Sequence, residues 1–138
     1  MGNKKGKSFV TIMIITAVTA LILRVAIKQI IKMNIAQNES DASATIRLIS
    51  AALENYAKEN RGIYPVKLSV LTQNKPPYLD KDYIGSSPIK GYDYDCTRLE
   101  SSGYSCSAVP VKCRLTGKII YTVITGGSLM SEECVKKE

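Results

Sequence analysis

Residues 9–23 form an almost unbroken apolar run with no charge, proline or glycine. As a helix these 15 residues span about 23 Å, against a bilayer hydrocarbon core of about 30 Å. Lys4, Lys5 and Lys7 precede the run and Arg24 closes it. The long stems of Arg24 and Lys28 can lie in the apolar layer while their charged heads reach the interface, extending the spanning stretch to Ile31. A secretory signal peptide would have a similar start, with Val18-Thr19-Ala20 as its cleavage site. The apolar run continues past Ala20 without a turn-forming residue, which favours an anchor that stays in place.

The helical pattern does not stop at the anchor. No glycine or proline occurs from Lys7 to Arg61, so one helix about 80 Å long is expected. Arg24, Lys28 and Lys32 recur every four residues and form one basic stripe. Further along, Ala42, Ile46, Ile49, Leu53 and Tyr56 recur at helical spacing, with Asp41, Arg47, Glu54 and Lys58 between them. This is an amphipathic face made to pack on a core. Asn60-Arg61-Gly62 supplies the stop, since Gly62 can take positive φ.

After the helix the pattern changes. Pro65 forces extended chain at Tyr64, and Pro76-Pro77 and Ser87-Pro88 mark irregular structure, with a short loop or helical turn near Leu68 and Leu71. Residues 92–99, 104–109 and 118–125 read as strands, separated by a turn at 100–103 and ended by Gly126-Gly127. The fold class expected is α+β: a long N-terminal α-helix, membrane-embedded in its first half, packed by its second half on a small three-stranded antiparallel sheet. The organisation is a basic leader at 1–8, a transmembrane segment at 9–31, an amphipathic helix at 32–61, an irregular connection at 62–91, and a sheet with C-terminal tail at 92–138.

Composition changes this picture in two ways. Apolar residues make up 45% of the 138, but many belong to the anchor, so a head of about 75 residues has a thin core. Four cysteines, Cys96, Cys106, Cys113 and Cys134, lie in that head. An even number in a loop-rich head points to disulfides and an oxidising compartment; with no Cys-x-x-Cys pair and no histidine, zinc is set aside. Three pairings exist and sequence alone selects none. Cys96 and Cys106 come near each other across the turn, but bridging opposed residues is demanding. The reading therefore leans to Cys106–Cys113 with Cys96–Cys134.

The net charge of +7 invites a nucleic-acid reading, but the basic residues cluster at the chain ends and beside the apolar run, and no groove-reading motif is present. No nucleic acid is expected as a partner. The absence of histidine excludes Ser-His-Asp and Cys-His arrangements, and no Gly-rich phosphate loop occurs, so no catalytic residues are assigned and no enzyme is expected. Asp80 with Asp82, and Asp93 with Asp95, are the only candidate calcium ligands considered; they read better as solvated carboxylates. No cofactor is expected. The eight tyrosines read as bridges between core and surface.

These pieces, in this order, resemble type IV pilin-like proteins, and especially the major pseudopilins of type II secretion. The resemblance covers nearly the whole chain: a short basic leader with Gly6, an apolar helix from Phe9, its continuation through Ser50-Ala51-Ala52-Leu53-Glu54-Asn55-Tyr56, and then Asn60-Arg61-Gly62-Ile63-Tyr64-Pro65, similar to the motif that closes the pseudopilin helix. Pro77-Tyr78-Leu79, Gly91-Tyr92-Asp93-Tyr94 and Thr125-Gly126-Gly127 match more loosely. The resemblance implies a structural subunit of a pilus or pseudopilus filament, self-assembling with identical or related subunits. It implies cleavage between Gly6 and Lys7 by a prepilin peptidase, an assembly platform with a cytoplasmic ATPase, a single pass through the inner membrane, and a head in the periplasm or at the cell surface. The assembly helix would present Phe9, Met13, Ala17, Ala20, Arg24 and Lys28. The chain departs from the family where Lys7-Ser8 stand between Gly6 and Phe9, and where Met13 occupies the position of the family's glutamate. The family's calcium loop is also missing its Asp- and Gly-rich ending, and cysteines stand there instead. The alternative reading is an anchored binding module with a pilin-like head that does not polymerise.

Overall fold

The computed structural model describes residues 4–135, with side chains from Ser8 onward. It contains α1 (Lys4–Glu59), α2 (Ser69–Gln73), β1 (Tyr92–Glu100), β2 (Gly103–Pro110), β3 (Ile119–Ile124) and β4 (Ser128–Glu133). The chain divides into two units, one ending at Asn34 and one beginning at Ile35. The first is helical in all its described residues, and every described side chain in it is exposed. The second holds the core.

That core forms where α1 turns amphipathic. Ala42, Ile46, Ile49, Ala52 and Leu53 are buried, and they meet Tyr92, Tyr94, Tyr104, Cys106, Ala108 and Val123 from the sheet. The helical residues follow the three-and-four spacing expected, and the strand residues alternate, because a pleated strand sends every second side chain to one face. Each large aliphatic side chain buried here contributes about 1.5–3 kcal/mol. Tyr56, the last residue of the predicted stripe, is half-buried against the same cluster. The segment between α1 and the sheet closes the core's open end with Leu68, Leu71, Leu79 and Tyr83. Its backbone is held there by Tyr78 and Leu79, whose N–H groups both donate to the Leu71 carbonyl.

α1 ends as the sequence predicts, with one difference. Gly62 has φ 80° and donates its N–H to the Ala57 carbonyl at 2.7 Å, a six-to-one bond that caps a spent helix end. Arg61 also takes the left-handed conformation, at φ 58°. The Asn60 amide side chain donates to the Tyr56 carbonyl at 2.8 Å, reinforcing the bond that the Asn60 backbone N–H makes to the same oxygen at 3.0 Å.

The sheet is antiparallel, with strands in the order β1-β2-β3-β4. It therefore has four strands where three were expected. Gly126 and Gly127 do not finish the sheet; with φ of 90° and 78° they turn the chain so that Ser128 pairs with Ile124. β4 is an exposed edge strand whose sequence, Ser-Leu-Met-Ser-Glu-Glu, shows no two-residue apolar period, because Leu129 alone among its residues packs against the core.

The disulfides also differ from the expected pairing. They are Cys96–Cys106 and Cys113–Cys134, and not Cys106–Cys113 with Cys96–Cys134. The strand register decides the first pair: Cys96 stands directly opposite Cys106, with their Cα atoms 3.9 Å apart, next to a bulge at Thr97. The second pair follows from β4. By pairing with β3, that strand carries Cys134 back to Lys118, whose carbonyl accepts the Cys134 N–H at 2.8 Å, beside the turn that holds Cys113.

Candidate membrane and assembly surface

The first unit presents apolar side chains to its surroundings along all of its described length. Phe9 is 65% exposed, Leu21 63% and Val25 60%, whereas Ala42 in the second unit is 1% exposed. The helix is long and apolar enough to cross a membrane. Two of its polar interruptions, Thr16 and Thr19, bond back to the helix itself. The Thr16 hydroxyl donates to the Ile12 and Met13 carbonyls at 3.0 and 2.9 Å, and Thr19 donates to Ile15 at 2.6 Å. A hydroxyl bonded back to its own helix exposes little polarity to lipid.

The six residues assigned to the assembly helix share one face. At 100° per residue, Phe9, Met13, Ala17, Ala20, Arg24 and Lys28 fall within an arc of about 100°. All six are exposed. Ala17 and Ala20 make a low patch on that face where a second helix backbone can approach closely. Gly6 and Lys7 lie in the helical start of α1, and their side chains are outside the described residues, as are residues 1–3 and 136–138 altogether.

In the second unit, α1 is tied to the sheet by polar contacts that the sequence did not single out. Tyr104 donates to Glu54 Oε1 at 2.9 Å and Gly126 N–H donates to the same oxygen at 2.7 Å. Tyr64 donates to Glu54 Oε2 at 3.1 Å. The buried Ser50 hydroxyl lies 2.8 Å from the Tyr104 oxygen. Burial, reinforced by the Glu54 carboxylate, pushes the Tyr104 phenol up to about 12, and raises Tyr64 for the same two reasons. At the other end of the packed helix, Asn38 donates to the Thr116 carbonyl at 2.9 Å, Lys118 N–H donates to Glu39 at 2.7 Å, and Lys90 pairs with Asp41 at 2.9 Å. The hydrogen bond from Lys90 holds the Asp41 carboxyl below its ordinary range.

Three of the four carboxylates weighed as calcium ligands accept hydrogen bonds within the fold. Asp80 accepts from Tyr83 at 2.9 Å, Asp82 from the Ile84 and Gly85 N–H groups at 3.1 and 3.0 Å, and Asp93 from Ser87 at 3.5 Å. Asp95 lies on β1, and its side chain is exposed. The tyrosines bridge core and surface: Tyr83 is pushed up to about 12, chiefly by burial and then by Asp80, and Tyr78 donates to Glu59. Glu54 is the joining residue of the head, which the sequence reading placed only among the polar positions of the helix. The available signal was its position four residues after Ser50 and one after Leu53, at the margin of the buried stripe and not opposite it.

No protein-family model matches the chain, and no curated protein or solved structure matches it.

Proposed function

We propose that this chain is a non-enzymatic structural subunit of a type IV pilus-like or type II secretion pseudopilus-like filament. The observation that carries the proposal is the exposed apolar length of α1, which runs directly into turns that pack on an oxidised antiparallel head. Such a surface needs cover. Before assembly the bilayer supplies it; in a filament, the apolar helices of neighbouring subunits leave lipid and cover one another, and the heads form the outer layer. The two disulfides favour a head on the exported side of the inner membrane. Partners are other copies or related subunits, a prepilin peptidase acting between Gly6 and Lys7, and an assembly platform.

The direct test is cross-linking in membranes of the native host, through cysteine pairs introduced at Met13 and Ala20, with intact-mass measurement of the extracted chain. A ladder of multimers and a mass that begins at Lys7 are expected. Monomers alone would favour the anchored binding module that does not polymerise, and a mass that retains residues 1–6 would remove peptidase processing from the proposal.

A further inference from the structure

Six of the seven net positive charges lie before residue 39, because Lys4, Lys5, Lys7, Arg24, Lys28 and Lys32 precede Glu39, the first acidic residue in the chain. The remaining hundred residues are close to neutral. Three of these charges, Arg24, Lys28 and Lys32, are exposed on α1 at four-residue spacing. They occupy an arc of about 80° and a length of about 12 Å. Val25, Ala26, Ile27, Ile30, Ile31 and Met33 fill most of the rest of the circumference, and Val25, Ile27, Ile30 and Met33 are each more than half exposed. This is a helix with a basic strip and a wide apolar face, the pattern of a segment at the level of lipid headgroups.

The depth agrees. The uncharged run of 15 residues falls about 7 Å short of the hydrocarbon thickness, a deficit of about five residues. Arg24 and Lys28 then start inside the apolar boundary and reach outward, and Lys32 sits about 6 Å higher, among the headgroups. Three cationic heads on one side of the helix converge on the phosphate layer. Resting on the membrane-anchor reading above, we infer that Arg24, Lys28 and Lys32 form a docking strip for the phosphates of anionic lipids, and that the chain gathers such lipid around this part of the helix.

A second copy of the chain is the other acidic surface to weigh. Among the described acids of the head, Glu39, Asp41, Glu54, Glu59, Asp80, Asp82, Asp93 and Glu100 each accept from a donor of their own chain. Each therefore already has a donor within its chain, which a second copy's cations would have to displace; Asp95, Glu132 and Glu133 are the described exposed acids left for such a contact. Anionic lipid is continuous with the anchor and needs no such rearrangement.

The test uses the full chain in equimolar phosphatidylcholine and phosphatidylglycerol vesicles, with spin-labelled versions of each lipid. Lys4→Gln, Lys5→Gln and Lys7→Gln form the background, so that only the strip remains charged. The motionally restricted fraction of each label reports its relative affinity for the helix. In this background the phosphatidylglycerol label is preferred about fivefold, and high salt erodes the preference. Adding Arg24→Gln, Lys28→Gln and Lys32→Gln brings it to parity while the chain still floats with the vesicles. Equal affinity before those three changes, or unchanged preference after them, overturns the inference and leaves the anchor intact. Carbodiimide cross-links from Lys28 or Lys32 to Glu132 or Glu133 of a second copy overturn it in favour of self-contact. Failure of the unaltered chain to float with either vesicle overturns the anchor reading itself.

Discussion

Glu54 on α1 and Tyr104 on β2, fifty residues apart in sequence, meet in a hydrogen bond of 2.9 Å between the carboxylate and the phenol. The same carboxylate takes the Gly126 N–H from the β3–β4 turn and the Tyr64 hydroxyl from the chain that leaves the helix. One side chain therefore joins the helix, the second strand, the last turn of the sheet and the post-helix segment. In a small head with few buried aliphatics, such a junction has a large share of the orientation of helix on sheet.

Removing Glu54 tests this. Glu54→Ala leaves the Tyr104 phenol and the Gly126 N–H without their acceptor and lowers head stability by about 1–3 kcal/mol. Glu54→Gln keeps one acceptor oxygen for these two donors and recovers most of the loss. Urea unfolding of the full chain in detergent, followed by near-ultraviolet circular dichroism of the tyrosines, measures both. Equal midpoints for wild type and the alanine variant would remove the junction from the account.

The tyrosines make the head sensitive to alkali. Tyr104 and Tyr83 are both raised from the ordinary value of 10 to about 12, chiefly by burial. The folded state therefore holds protons that the unfolded state has released between these values, so stability falls as pH rises through that window. Below pH 10 their contribution is complete. Thermal midpoints recorded from pH 8 to 12 show a decline that begins near 10, and Tyr104→Phe makes the decline shallower. A flat profile to pH 12 would contradict the burial of these phenols.

Cysteine connectivity has a direct readout. Non-reducing peptide mapping yields fragments joining Cys96 to Cys106 and Cys113 to Cys134. The second link spans 21 residues and restrains the unfolded chain, worth about 3 kcal/mol by loop entropy. Cys134→Ser lowers the thermal midpoint in oxidising buffer and has little effect in reductant. Four free thiols in protein taken from its native compartment would sink both the staples and the exported location that they support.

The anchor is tested by a single charge. Val18 lies in the middle of the apolar run, and Val18→Arg costs at least about 2.5 kcal/mol at the centre of a bilayer. Loss of the chain from the carbonate-washed membrane fraction, or loss of multimers in cross-linking, is the expected result. Unchanged fractionation and assembly would count against a spanning helix.

The long helix, its amphipathic second half, its glycine stop and three strands were legible in the sequence because each rests on local rules. A helix needs only the absence of breakers and a three-to-four spacing, and Ala42, Ile46, Ile49 and Leu53 display that spacing openly. Arg24, Lys28 and Lys32 form a stripe for the same reason: on a helix, position in sequence is position on a face. β4, the cysteine pairs and the Glu54 junction depend on which strand lies beside which. Ser128–Glu133 has no apolar alternation to announce it, since an edge strand is held by backbone hydrogen bonds to β3, and every residue type carries those groups. Once β4 pairs, Cys134 is returned to the neighbourhood of Cys113, while the register of β1 on β2 sets Cys96 against Cys106. Glu54 reads as one more polar residue on a helix until the sheet brings Tyr104 and Gly126 to it. Local backbone preference settled the elements of this protein; contacts between residues ten to seventy-two positions apart settled its staples and its junction, because their geometry exists only after the sheet has formed.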